Sequence, residues 1–232
     1  MRVVELSYGY PKSKQPVLHK VSFNIKQGKL NVLIGPNGAG KTTLFDLMAR
    51  VIRPDEGLLD LPPLREILYQ TQNPYFSHGL KGKDIAQFVA RISGQRVVRD
   101  YTAYEDLLLE RERAMLRRLW EMKLGLMSVG ERKWLITLFS SIIPRKLYIF
   151  DEPTSGVDPV ARLYILQRMK QLVADGNSVI LSTHQLHELE GIDAHLIFLH
   201  QGMIIYEGDY HHWLKRTGIE NPDQAFELMI EQ

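Results

Sequence analysis

The 232-residue chain predicts an α/β protein, in which a core of buried parallel strands with flanking helices is interrupted by a mostly helical lobe. Three observations carry this reading. The short runs "LNVLIG", "KLYIF" and "NSVILS" have the continuous apolar character of strands covered on both faces. A helix is predicted at about 159–174, between the last two of these strands, which is the alternation that builds a parallel sheet. From about 82 to 142 the hydrophobic period becomes helical, in "KDIAQFVARI", "YEDLLLERERAMLRRLWEMK" and "ERKWLITLFSSI".

The other elements follow in order. "VVELSY" and "VSFNI" read as strands. A helix is predicted from about Lys41 to Val51, stopping before Pro54. "REILYQ" is a further strand, and the charged stretch 104–123 reads as one helix with a solvated amphipathic face. "AHLIFLH" and "MIIYEG" flank Gln201 and Gly202 as a hairpin, and "NPDQAFELMIEQ" is a last helix.

Composition narrows the possibilities. Hydrophobic residues make up 44% and charged residues 24%, ordinary values for a globular protein. The chain has no cysteine, which excludes disulfides and thiolate metal sites and fits a reducing compartment. The start, "MRVVELSYGY", lacks the pattern of a signal peptide. The longest apolar stretch, "WLITLFSSIIP", is interrupted by Thr137, Ser140 and Ser141 and is too short to span a bilayer, so a membrane role would come through a partner. A formal net charge of +2 gives no argument for nucleic acid.

Two motifs carry chemistry. "GPNGAGKTT" runs Gly35, Pro36, Asn37, Gly38, Ala39, Gly40, Lys41, Thr42, Thr43 and matches the phosphate-binding loop pattern between an apolar strand and a helix. Its glycines let backbone N–H groups converge on phosphate oxygens, and the helix N-terminus adds a positive dipole end. Lys41 can reach the β- and γ-phosphates of a nucleotide triphosphate, and the Thr42 hydroxyl can ligate Mg²⁺. In "KLYIFDEPTSGVDP", Asp151 closes an apolar run where a carboxylate holds Mg²⁺ through water, and Glu152 can orient or deprotonate an attacking water.

A third stretch, "LMSVGERKW", has the S-x-x-E spacing of a helix capping box at Ser128 and Glu131, with Gly130 allowing close backbone approach. The string "HQLHE", from His184 to Glu188, does not match the spacings of zinc hydrolases, and no metal is expected there. The pair His211 and His212 reads as solvated or capping.

Taken together, "GPNGAGKTT", "MSVGE", "IFDEPTSGVDP" and "LSTH" resemble, in order and spacing, the motifs of the ATP-binding cassette ATPases, over nearly the whole chain. The resemblance implies a P-loop NTPase core with a mixed or parallel sheet, an N-terminal antiparallel β subdomain and an inserted α-helical lobe. It implies one cassette domain over 1–232, with the core in 1–72 and 143–232 and the lobe at about 73–142. It implies ATP and Mg²⁺ as ligands, with Thr42, Gln72 and Asp151 serving the metal. Glu152, His184 and Gln72 would be the catalytic residues, and Tyr10, with Tyr8 as runner-up, would stack on adenine. Gln70 competes with Gln72 for the glutamine position.

By the same resemblance "MSVGE" would be the signature motif, where Met127, Val129 and Glu131 replace the usual Leu, Gly and Gln and Trp134 stands where a basic residue is common. Ser128, Gly130 and Glu131 would contact ATP held by a second cassette in a head-to-tail dimer, homo- or heterodimeric, with Asp158 coupling the two sites. The function implied is the ATP-hydrolysing subunit of a membrane transporter working through a separate integral membrane permease. The tail "DQAFELMI" is similar to the acidic helix that closes small exporter-type ATPases, and this likeness favours export over import. The subunit would be cytoplasmic, peripheral on the inner face of the cell membrane. The alternative is a soluble cassette ATPase without a permease, such as an iron–sulfur assembly ATPase.

Overall fold

The structure is a computed structural model and describes residues 1–11 and 15–230. In chain order its strands and helices are β1 (Arg2–Tyr8), β2 (Leu18–Asn24), β3 (Leu30–Ile34), α1 (Lys41–Met48), β4 (Glu56–Asp60), β5 (Ile67–Gln70), α2 (Gly82–Ile92), α3 (Glu110–Trp120), α4 (Val129–Ser141), β6 (Leu147–Phe150), α5 (Pro159–Ala174), β7 (Ser178–Thr183), β8 (Ala194–His200), β9 (Met203–Asp209), α6 (Tyr210–Thr217) and α7 (Pro222–Ile230). The chain divides into two compact units. The first holds Met1–Gln72, Arg145–Glu152 and Leu172–Gln232, and the second Asn73–Pro144 and Pro153–Gln171. The second thus also takes in a segment beyond the lobe expected at 73–142.

The first unit contains a six-stranded sheet in the order β5-β6-β7-β3-β8-β9 and a three-stranded antiparallel sheet in the order β2-β1-β4. In the larger sheet every pairing is parallel except β8 with β9, which form the hairpin around Gln201 and Gly202. Strands β3, β6 and β7 are buried along their whole length, as their unbroken apolar runs require. Asn31 is the polar exception in β3. Its side-chain amide donates to the carbonyls of Lys26, Lys29 and Val179 and its oxygen accepts from the Lys26 N–H, so burial leaves nothing unmatched. Leu44, Phe45, Leu47 and Met48 anchor α1 in the core cluster with Leu33, Ile149, Ile180 and Ile197.

Helix α1 ends at Met48, earlier than the predicted Val51. The Val51 N–H bonds back to the Asp46 carbonyl and the Arg50 N–H to the Leu47 carbonyl, with Arg50 at φ 57. This is a Schellman closure with an arginine where glycine is usual, a local stop that the apolar period does not register. Helix α6, capped by the Asp209 side chain accepting from the His212 N–H, was not anticipated. Helix α7 occupies most of the predicted last helix; Glu231 and Gln232 lie outside the described residues.

The second unit packs α2, α3, α4 and most of α5. Tyr104, Trp120 and Phe139 form an aromatic cluster with ring centroids 5.3 to 6.5 Å apart. The single helix expected over 104–123 is broken. Residues Tyr101–Leu107 form 3-10 turns and α3 starts afresh at Glu110. The break has a local cause. The Glu112 carboxylate accepts from the Leu109 N–H, and the Arg113 guanidinium donates to the Glu105 and Leu108 carbonyls, so a new helix start competes with continuation. Nor is the face fully solvated. Glu112 is completely buried, accepting also from Trp134 Nε1 at 3.2 Å and from Arg168 Nη2 at 3.3 Å.

Candidate functional site

The glycine loop leaves β3 and enters α1 at Lys41. Two of its glycines are required by geometry. A Cβ on Gly35 would fall 2.2 Å from the Leu199 carbonyl oxygen, and Gly40 has φ 104, a region L side chains avoid. Lys41 is 6% exposed, and its Nζ donates to the carbonyls of Gly35 at 2.8 Å and Pro36 at 3.2 Å. Burial pushes its ammonium below the ordinary lysine value, against the opposing pull of Glu152 and Asp151. A cation turned back onto its own loop, beside open space around Gly38, is what a polyanionic phosphate would draw outward.

The carboxylates stand at the end of β6. The Thr42 hydroxyl donates to Asp151 Oδ2 at 2.7 Å, and the Ser182 hydroxyl donates to Oδ1 at 2.6 Å. The same Ser182 oxygen accepts the Glu152 N–H at 2.9 Å. Glu152 sits at φ 43, a left-handed conformation rare for a glutamate and costing about 1–3 kcal/mol, held here by its neighbours. Its Oε1 lies 3.6 Å from Lys41 Nζ and 3.7 Å from His184 Nδ1, and its Oε2 accepts from Gln72 Nε2 at 2.8 Å. A single cleft is lined by Tyr10, Val17, Asn37, Gly38, Gly40, Lys41, Thr42, Thr43, Gln72 and Glu152. The sequence reading thus finds Lys41, Thr42, Gln72, Asp151, Glu152 and His184 gathered in one place, all in the first unit.

The two close alternatives separate by burial. Gln70 is in β5 and 5% exposed, and its carbonyl accepts the Asp151 N–H, whereas Gln72 lines the cleft. Tyr8 is 8% exposed in the core, while Tyr10 is 45% exposed, meets Tyr8 edge-on at 5.1 Å and bonds Thr43 Oγ1 at 3.2 Å. Ser182 was missed. A small polar residue within the apolar run of β7 was its only signal.

In the second unit, the capping box of "MSVGE" is formed as its spacing requires. The Glu131 N–H donates to Ser128 Oγ at 3.1 Å, and the Ser128 N–H donates to Glu131 Oε2 at 2.8 Å. Arg118 holds the other Glu131 oxygen. Burial would raise the Glu131 carboxyl, but the Ser128 N–H and Arg118 outweigh it and keep it below the ordinary glutamate value. Ser128 and Val129 are exposed at the helix start. Gly130 is buried, and a Cβ there would fall 2.5 Å from Asp158 Oδ2 and 3.0 Å from the Ala161 side chain. The close approach at Gly130 is therefore first a packing demand from the start of α5. Asp158 in turn caps α5, its Oδ1 accepting from the N–H groups of Val160 and Ala161. Trp134 is fully buried, committed to Glu112 rather than to solvent.

Among the described residues no group of three or more His, Cys, Asp or Glu could hold a metal ion, and no helix is long and apolar enough to cross a membrane. The family model described as ABC transporter matches residues 18–155, more than half of the chain. The chain belongs to the ABC transporter family.

Known relatives agree. The chain is 27% identical to the lantibiotic transport ATP-binding protein SrtF of Streptococcus pyogenes, over 97% of this chain and 93% of that one. It is 29% identical to the lipopolysaccharide export system ATP-binding protein LptB of Acidithiobacillus ferridurans, over 84% and 85% of the two chains. It is 28% identical to the Nod factor export ATP-binding protein I of Burkholderia orbicola, over 90% and 70%. Among solved structures, an ATP-binding subunit of an ABC transporter superposes with a TM-score of 0.78 at 25% identity, covering 100% of this chain and 99% of that one. A bacterial ABC transporter cassette with a dimeric structure matches in fold, with a TM-score of 0.71 at 20% identity over 90% and 98%. This ABC protein is an ATP-binding, ATP-hydrolysing transporter subunit with the mixed α/β cassette fold.

Proposed function

We propose that the subunit drives export through a separate integral membrane permease, as half of an ATP-sandwich dimer, and that its two units together form one cassette domain. The cleft between Tyr10, the glycine loop and Glu152 holds ATP, with Tyr10 against the base. Lys41 and the loop N–H groups neutralise phosphate charge. Glu152 orients or deprotonates the attacking water, with Gln72 and His184 fixing its carboxylate. Thr42 and Asp151 present oxygen donors 2.7 Å apart, a set suited to a hard cation, and would hold Mg²⁺, which supplies charge neutralisation at the phosphates. Ser128, Gly130 and Glu131 face the ATP of a second copy, where an exposed, capped helix start favours an anion. Asp158, packed under Gly130, couples the two sites. Work of this kind is positioning and electrostatics, with lobe closure as the output.

The observation that carries the proposal is the convergence of Lys41, Gln72 and His184 on Glu152. Export is supported by two relatives named for export, LptB and Nod factor protein I. A place on the inner face of the cell membrane, reached through the permease, follows from that role. Isolation of the native complex tests it. A polytopic membrane protein should accompany the subunit, and a complex of soluble proteins alone would favour an assembly ATPase instead.

A further inference from the structure

Sheet pairing fixes β7 only as far as Thr183, which is matched to Ile34 of β3. His184 is the next residue, beyond the ladder, and its Nδ1 lies 3.7 Å from Glu152 Oε1. The chain beyond it needs a second anchor. On the near side, Thr183 Oγ1 accepts the Gln185 N–H at 3.1 Å. On the far side the anchor comes from the C-terminal helix. Asp223, in the first turn of α7, accepts the Leu186 N–H through Oδ1 at 2.5 Å and meets His187 Nδ1 through Oδ2 at 2.7 Å. Leu186 and Leu189 are fully buried, so the turn they belong to has little freedom once Asp223 holds it.

Helix α7 is itself fixed. Asn221 caps it, accepting from the Asp223 N–H at 2.9 Å. Phe226 packs edge-on against Phe198 of β8 at 5.2 Å, and Trp213 of α6 packs on the same ring at 5.0 Å. We infer that Asp223 is a positioning residue for ATP hydrolysis. It clamps the segment following His184, so that docking of α7 against β8 sets the geometry of His184 at Glu152. This rests on the proposed roles of Glu152 and His184. Asp223 touches neither, and acts only through the backbone of Leu186 and the ring of His187.

The test compares the full chain with Asp223→Ala and Asp223→Asn. Asparagine keeps an acceptor for the Leu186 N–H and can donate its NH2 to His187 Nδ1 in the Nε2–H tautomer, whereas alanine offers neither bond. The expected result is a kcat about 10- to 100-fold lower in Asp223→Ala with KM for ATP within about twofold, and recovery of kcat in Asp223→Asn. Wild-type kcat in Asp223→Ala overturns the inference. So does a parallel fall of kcat, ATP affinity and melting temperature that asparagine fails to reverse. Hydrogen exchange at the Leu186 amide gives a readout independent of turnover. It should lose protection in Asp223→Ala while Ile180 and Leu181 keep theirs, and unchanged protection contradicts the clamp. A wild type that turns over no faster than Glu152→Gln would instead sink the role of Glu152, leaving the exchange result to decide the clamp.

Discussion

Lys41 Nζ lies 3.6 Å from Glu152 Oε1, with both side chains buried, and Gln72 donates to the same carboxylate at 2.8 Å. The lysine of the glycine loop and the glutamate after β6 therefore form a close buried pair, which on the proposed reading opens when phosphate binds. Lys41→Ala should weaken ATP binding at least about 10-fold, because the loop loses its only side-chain cation toward the β- and γ-phosphates. Titration with a fluorescent ATP analogue measures this, and wild-type affinity would contradict it.

Ser182 holds two parts of the site at once, donating to Asp151 and accepting from the Glu152 N–H. Ser182→Ala leaves a buried N–H without that acceptor and lets Asp151 and the strained Glu152 backbone relax. Unfolding in urea should show a loss of about 1–3 kcal/mol, and ATP turnover should fall with ATP affinity largely kept.

The capping box of α4 makes a pH prediction. Because the Glu131 carboxyl is held below 4.5, its contribution to stability is fully present above that value and is lost as pH falls through the lower folded value. The stability difference between wild type and Glu131→Gln should therefore be constant near neutral pH and shrink at acid pH. Ser128→Ala removes the reciprocal bond and should cost about 1 kcal/mol. Ser128→Arg, placed at the exposed helix start, should block ATP-driven dimerisation while the monomer still binds nucleotide, as gel filtration and titration can show.

Arg50 closes α1 at φ 57 with its side chain exposed. Arg50→Gly relieves a left-handed backbone and should raise stability by about 0.5–1 kcal/mol, visible as a higher denaturation midpoint with unchanged ATP binding.

What the sequence disclosed follows from how local each signal is. Helix α5 runs over 159–174 as predicted because Asp158 and Pro159 mark its start chemically and Ala161, Ile165, Met169 and Leu172 recur at helical spacing on its buried face. The glycine loop was legible because its function demands fixed residue types at fixed spacing, and Lys41, Thr42, Asp151 and Glu152 do meet. The stretch 104–123 misled because Glu112 looks like any solvated glutamate. Its burial against Trp134 and Arg168 depends on residues 22 and 56 positions away. Ser182 was hidden for a similar reason. Nothing in "SVILST" says which hydroxyl reaches the end of β6. Gly130 shows the limit from the other side. Its resemblance to a signature-motif glycine was readable, while its contact with Asp158 and Ala161 was not.

The role of Glu152 is decided by phosphate release from the full chain beside Glu152→Gln, at saturating ATP and Mg²⁺. The geometry predicts turnover lowered at least about 100-fold in the variant, with ATP still bound and the ATP-bound dimer accumulating. Equal phosphate release from the two proteins, or a variant that stays monomeric in ATP, would contradict it.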